Sequence, residues 1–167
     1  PTDATLQAFA DTMVPGRKVA ADVLGGAIDP RAIAGVDAQP GAVEAGALEL
    51  YHHPEVGFDA LEAPFLADLS ARSLPHGGDF LDLPWDGRVQ VCIEGLDFAN
   101  PDRVLWEAAA AVPFTAFCAA ALIPEQSGPR AVGYAVMGLP GVAPRGYRDF
   151  SYRRRLSRER TRHGYLA

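Results

Sequence analysis

The stretch from Val104 to Leu122 constrains this chain most. It is almost wholly apolar or alanine and holds one charged residue, Glu107. Asn100-Pro101-Asp102 precedes it with a strong helix-start pattern. Asparagine caps, proline suits the first helical position, and an acid sits near the positive end of the dipole. The run therefore predicts a central helix, bent at Pro113 and buried on all sides. Glu107 and the length argue against a membrane span, because the chain has no uncharged run of 18 apolar residues.

The other segments supply partners for such a helix. Thr2 to Val14 places Leu6, Phe9, Ala10, Met13 and Val14 on one stripe, with Thr2 or Asp3 as cap and Pro15-Gly16 as stop. Turn signals fill 15–41, around one short helix from Val19 to Leu24. Residues 41–53 read as a second helix with Val43, Ala47, Leu50 and Tyr51 inward, ended by Pro54. Phe58 to Leu74 reads as a third, with Leu61, Phe65, Leu66 and Leu69 on one face and Pro64 in its first turn or at a kink. From Arg88 to Leu96, Val89, Val91 and Ile93 alternate as in a strand. A lone strand has nothing to pair with, so this segment is assigned as helix.

Residues 124–150 are rich in Gly and Pro without full helical periodicity, which predicts a long ordered loop or covering arm. Residues 151–163 could form a last basic helix capped by Ser151. The expectation is an all-α, small irregular helical bundle of about five or six helices. It comprises a helical core over 1–123, a Gly/Pro-rich arm over 124–150 and a basic tail over 151–167, in one domain. At 167 residues it needs no disulfide or metal staple.

Charge is unevenly distributed. Residues 1–144 carry a net charge of −12, and residues 145–167 carry +6. A basic tail invites nucleic acid, but the acidic body would repel phosphate. Docking on an acidic partner, or folding back over the chain's own acidic surface, fits better. The chain starts at Pro1, without Met, and is expected to follow a removed segment, an export signal being one option.

No catalytic constellation stands out. His52-His53 is the only histidine pair, and neighbours on a helix point about 100° apart, so the two cannot readily share a metal. A helix C-terminus is the plainer explanation, and no metal is expected. Cys92 and Cys118 lie in apolar segments and are expected as buried thiols rather than a disulfide. Asp79, Asp82 and Asp86 surround Trp85 and could serve acid–base chemistry, or simply be solvated loop acids. P-loop, G-x-S-x-G and Rossmann patterns are absent.

Three pieces carry a resemblance. LQAFADTMVPG is similar to the L-x-x-x-A-D-x-x-I-P opening of gluconate 2-dehydrogenase subunit 3-like proteins. GAVEAGALELYHH resembles that family's small-residue segment before its second helix. GYAVMGLPGVAPRGYRDF resembles its G-Y-P-G followed by G-Y, with Gly138, Pro140, Gly141, Gly146 and Tyr147 in place and Leu139 where an aromatic is usual. The Arg-rich extension after Phe150 departs from the pattern.

The resemblance implies a non-catalytic small subunit that binds, stabilises and helps mature or export a larger flavoprotein of the glucose–methanol–choline oxidoreductase type. This chain would hold no cofactor, FAD residing in the partner. Export with the partner, by a twin-arginine signal, implies an extracytoplasmic location; the cytoplasm is the alternative. Contact candidates are Trp85, Tyr134, Gly138, Leu139, Pro140, Gly141, Tyr147 and Phe150, with Arg153, Arg154 and Arg155 supplying charge. Two other readings stand beside it. One is a stand-alone helical enzyme using His52 or His53 with nearby acids. The other is a transient chaperone.

Overall fold

A computed structural model describes residues 2–18, 28–118 and 132–138. Among them are six α-helices: α1 (Thr2–Met13), α2 (Ala47–Tyr51), α3 (Asp59–Ser73), α4 (Trp85–Leu96), α5 (Arg103–Cys118) and α6 (Val132–Val136). Short 3-10 turns occupy Pro30–Ala32, Leu74–His76 and Phe80–Asp82. The described residues contain no strand, and the all-α bundle is borne out. None of the described helices is long and apolar enough to cross a membrane.

The core forms where α1, α3 and α5 meet. Phe9, Phe65 and Trp106 are fully buried and pack edge to face, with centroids 4.8–5.8 Å apart. Such pairs add about 0.5–1.5 kcal/mol each beyond their area burial. Trp106 also needs a partner for its indole N–H, which donates to Asp68 at 2.7 Å. Asp68 in turn accepts from Arg72, Arg72 donates to Asn100, and the Asn100 amide donates to the Gly95 carbonyl. One polar chain thus joins α3, α4 and the turn before α5. Asn100 also accepts the Asp102 N–H, the capping role expected of it.

Gly95 lets α4 lie flat against that indole. A β-carbon there would overlap the Trp106 indole ring. The alternating segment at 89–93 is helical, as expected. Helix α4 starts at Trp85 and takes in Gly87, with Val91 buried and Ile93 exposed.

Several expectations need correction. Helix α5 is not buried on all sides. Trp106, Ala109, Ala110, Val112, Pro113 and Ala116 face the core. Val104, Glu107, Ala111, Phe114 and Cys118 lie exposed at alternating spacings of three and four. A neighbour covers only one side, so composition overstated the burial.

Helix α5 continues through Pro113, and the tertiary structure compensates for the missing N–H. Residue 113 would ordinarily donate to the Ala109 carbonyl. Instead the buried Tyr51 hydroxyl donates to it at 2.8 Å.

The second helix is shorter than 41–53. Gly46 takes φ 81°, which breaks the helix and leaves turns over 42–46. Pro64 lies inside α3, beyond its first turn, four residues after the exposed Ala60 whose carbonyl it leaves to solvent. Leu61 is exposed because Phe58, Phe65 and Leu69 occupy the inward face.

The arm is not wholly without helix, since α6 packs on α5. Gly133 there sits so close to the Phe117 carbonyl that no side chain fits. The helices expected at 19–24 and 151–163, and the tail itself, lie outside the described residues.

Candidate functional site

The A-D of the opening motif folds into a structural bracket. Asp11, on α1, is buried and accepts N–H groups from Gly16 at 3.3 Å and Ala34 at 2.9 Å. Burial raises its pKa, and the two backbone donors and Arg88 partly offset that. The Pro15-Gly16 and Pro40-Gly41 turns meet backbone to backbone beside it, where Ala42 N–H donates to the Val14 carbonyl at 3.0 Å. A β-carbon on Gly41 would lie 2.5 Å from that oxygen.

Arg88 is the second buried ionic group. Its guanidinium donates to the carbonyls of Leu83, Ala32, Arg31 and Leu81 at 2.8–3.2 Å. It clamps α4 to the turns at 30–32 and 80–82, and burial lowers its pKa while Asp11 supports its charge. Both residues serve architecture.

A polar cluster sits where α2 ends and α3 begins. His52 follows α2, and six loop residues bring the chain to Asp59, in the first turn of α3 with Glu62. Residues three apart on a helix share a face. His52 Nδ1 lies 3.9 Å from oxygens of both Asp59 and Glu62, and its Nε2 lies 3.1 Å from Asp3 Oδ1. Two helices, α1 and α3, thus deliver three carboxylates around the imidazole at the end of α2. His53 is turned away from it, and its Nδ1 accepts the Glu55 N–H at 3.3 Å. The sequence argument correctly separated the two histidines. It missed the carboxylates, whose only legible trace was the spacing of Asp59 and Glu62.

A cleft of about 480 Å³ opens between the start of α1, the middle of α3 and the turn at 80–82. Asp29, Asp79, Asp82 and Arg31 lie on its wall. Arg31 pairs with Asp29 at 2.8 Å and with Asp82 at 3.4 Å, so part of the acidity is neutralised within the cleft. The carboxylates flagged around Trp85 thus separate: Asp79 and Asp82 line the cleft, and Asp86 does not.

The exposed apolar surface is the other candidate. Phe98 is 88% exposed in the turn between α4 and α5, and Val104 is 75% exposed. The Arg103 guanidinium stacks over the Phe98 ring at 3.9 Å. Its Nε donates to the Leu96 carbonyl, and Glu107 pairs with it at 2.6 Å, so the stack is held in place. Ile93 and Phe114 are also exposed.

Of the residues singled out for partner contact, Trp85 is half-buried at the first position of α4. Tyr134 lies on α6, and Gly138 takes φ 67° in the turn after it. Leu139, Pro140, Gly141, Tyr147, Phe150, Arg153, Arg154 and Arg155 lie outside the described residues. Cys92 and Cys118 are both free. Cys92 is buried, with its thiol pushed up to about 12 by burial, whereas Cys118 is exposed, contrary to expectation. The exposed stripe of α5 is the reason.

A family model matches residues 1–164, and the chain belongs to that family, the family of unknown function DUF5987. No curated protein and no solved structure matches it.

Proposed function

We propose that this member of the DUF5987 family is a non-catalytic binding subunit for a larger flavin-dependent oxidoreductase, which it stabilises and helps to mature or export. The observation that carries the binding role is the Phe98–Arg103–Val104 surface with the apolar stripe of α5. An aromatic ring under a fixed arginine is the kind of anchor that dominates interfaces. The partner's identity rests on the resemblance of LQAFADTMVPG and the Gly138–Tyr147 segment to gluconate 2-dehydrogenase subunit 3-like proteins. In this reading FAD and the redox chemistry belong to the glucose–methanol–choline type partner. The arm and the basic tail, with Leu139, Pro140, Gly141, Tyr147, Phe150 and Arg153 to Arg155, add contacts. Location follows the partner, outside the cytoplasm.

The test is co-expression with a glucose–methanol–choline type flavoprotein from the same genome. Co-elution and improved flavoprotein solubility are expected. Phe98→Glu with Val104→Glu should abolish both without unfolding the chain, because neither side chain is in the core. Failure of the wild-type chain to co-elute or to raise solubility would refute the subunit reading.

A further inference from the structure

We propose that His52, Asp59 and Glu62 form a binding site for a first-row divalent transition ion such as Zn²⁺, with Asp3 positioning the imidazole. This goes beyond the subunit reading and does not depend on it. The imidazole divides its two nitrogens between two tasks. Nε2 faces Asp3 at 3.1 Å, so with its proton there it donates to that carboxylate. Nδ1 then presents its lone pair to the space shared with Asp59 Oδ1 and Glu62 Oε2, at 3.9 Å from each. A carboxylate holding the far N–H of a metal-binding histidine is a recurrent outer-sphere device that fixes the tautomer and raises ligand basicity.

Charge points the same way. Among the described residues no Lys or Arg pairs with Asp3, Asp59 or Glu62. Among the described residues, three carboxylates therefore share one imidazole as their ion-pair partner. Asp59 and Glu62 also sit in the first turn of α3, where a helix N-terminus favours negative side chains.

The size is also suitable. The three donor atoms all lie within 4.8 Å of one another. Bonds of about 2.0–2.2 Å to a tetrahedral ion hold donors about 3.3–3.6 Å apart. Small rotations of the exposed Asp59 and half-buried Glu62 carboxylates would close that gap. One nitrogen with two carboxylate oxygens suits Zn²⁺ better than Mg²⁺ or Ca²⁺, which prefer all-oxygen shells. Water would complete the coordination at this exposed site. The ion would tie the end of α2 to the start of α3, and through Asp3 to α1.

The experiment uses the full chain, tag-free and stripped with a chelator, titrated calorimetrically with Zn²⁺, Mg²⁺ and Ca²⁺ and followed by thermal unfolding. One equivalent of Zn²⁺ should bind in the micromolar range and raise the Tm. His52→Ala and Glu62→Gln should each remove that binding. His53→Ala should leave it intact. Asp3→Asn should weaken it about tenfold at unchanged stoichiometry. All four positions are on or near the surface, and far-UV circular dichroism verifies that each variant folds.

Absence of saturable Zn²⁺ binding would overturn the site. Zn²⁺ binding that survives His52→Ala, or Ca²⁺ binding of equal strength, would overturn it equally. Unchanged affinity in Asp3→Asn would overturn the positioning role of Asp3.

Discussion

Tyr51 and Pro113 should be energetically coupled, although one lies on α2 and the other on α5. Pro113 has no N–H to give the Ala109 carbonyl, and the Tyr51 hydroxyl supplies the missing hydrogen at 2.8 Å. Both Tyr51 and Ala109 are fully buried, so no water can take over. Tyr51→Phe removes the bond, worth about 1 kcal/mol net, and strands a buried carbonyl at a further cost of about 1–3 kcal/mol. A total of about 2–4 kcal/mol is expected.

In a Pro113→Ala background, residue 113 recovers its N–H and can close the helical bond to Ala109. There the same Tyr51→Phe change should cost only about 0.5–1 kcal/mol, a coupling of about 1 kcal/mol or more. Urea unfolding of the four proteins, at a common m-value, measures it. The loss of the proline ring occurs on two edges of the cycle and cancels. Equal costs of Tyr51→Phe in the two backgrounds would refute the argument that tyrosine replaces the proline's missing donor.

Three further outcomes follow from the same packing. Gly95→Ala must push the Trp106 indole away from α4 to make room for a methyl group, and should lower stability by about 2 kcal/mol despite better helix propensity. Gly87→Ala on the same helix, with 3.4 Å to Leu83 Cβ, should be neutral or slightly stabilising; thermal melts of the pair should move apart. Arg88→Met withdraws donors from four carbonyls and should cost about 3 kcal/mol or more, with Arg88→Lys rescuing little, by denaturant titration. A thiol reagent at mildly alkaline pH should modify Cys118 at once, and Cys92, with its pKa near 12, only after unfolding. Burial raises the folded pKa of Cys92, so its contribution to stability is fully present below its ordinary pKa and fades as pH climbs above that; an alkaline unfolding series on Cys92→Ala tests the sign.

Legibility in the sequence followed the range of the interaction. Helix identity at α1, α3 and α5 came from periodicity, apolar runs and capping, which act within a few residues. Even the strand-like alternation at 89–93 yielded once its neighbours were taken into account. The length of α2 was missed because a left-handed Gly46 cannot be told from any other glycine by composition. The exposed stripe of α5 was missed because apolar character says a residue can be buried, not that a neighbour is present to bury it.

The candidate sites divide in the same way. The sequence by itself determined an all-α chain, two histidines that point apart and an acidic body with a basic tail. Tertiary structure alone decided that His52 meets Asp3, 49 residues away, and that Arg88 reaches carbonyls 56 and 57 residues back. It also decided that Tyr51 supplies the hydrogen bond that a proline 62 positions later withholds from its own helix. Local patterns report φ, ψ and amphipathicity, which neighbours in sequence control. Donors and acceptors brought together by packing report how the helices are placed in space, and no short window of sequence holds that information.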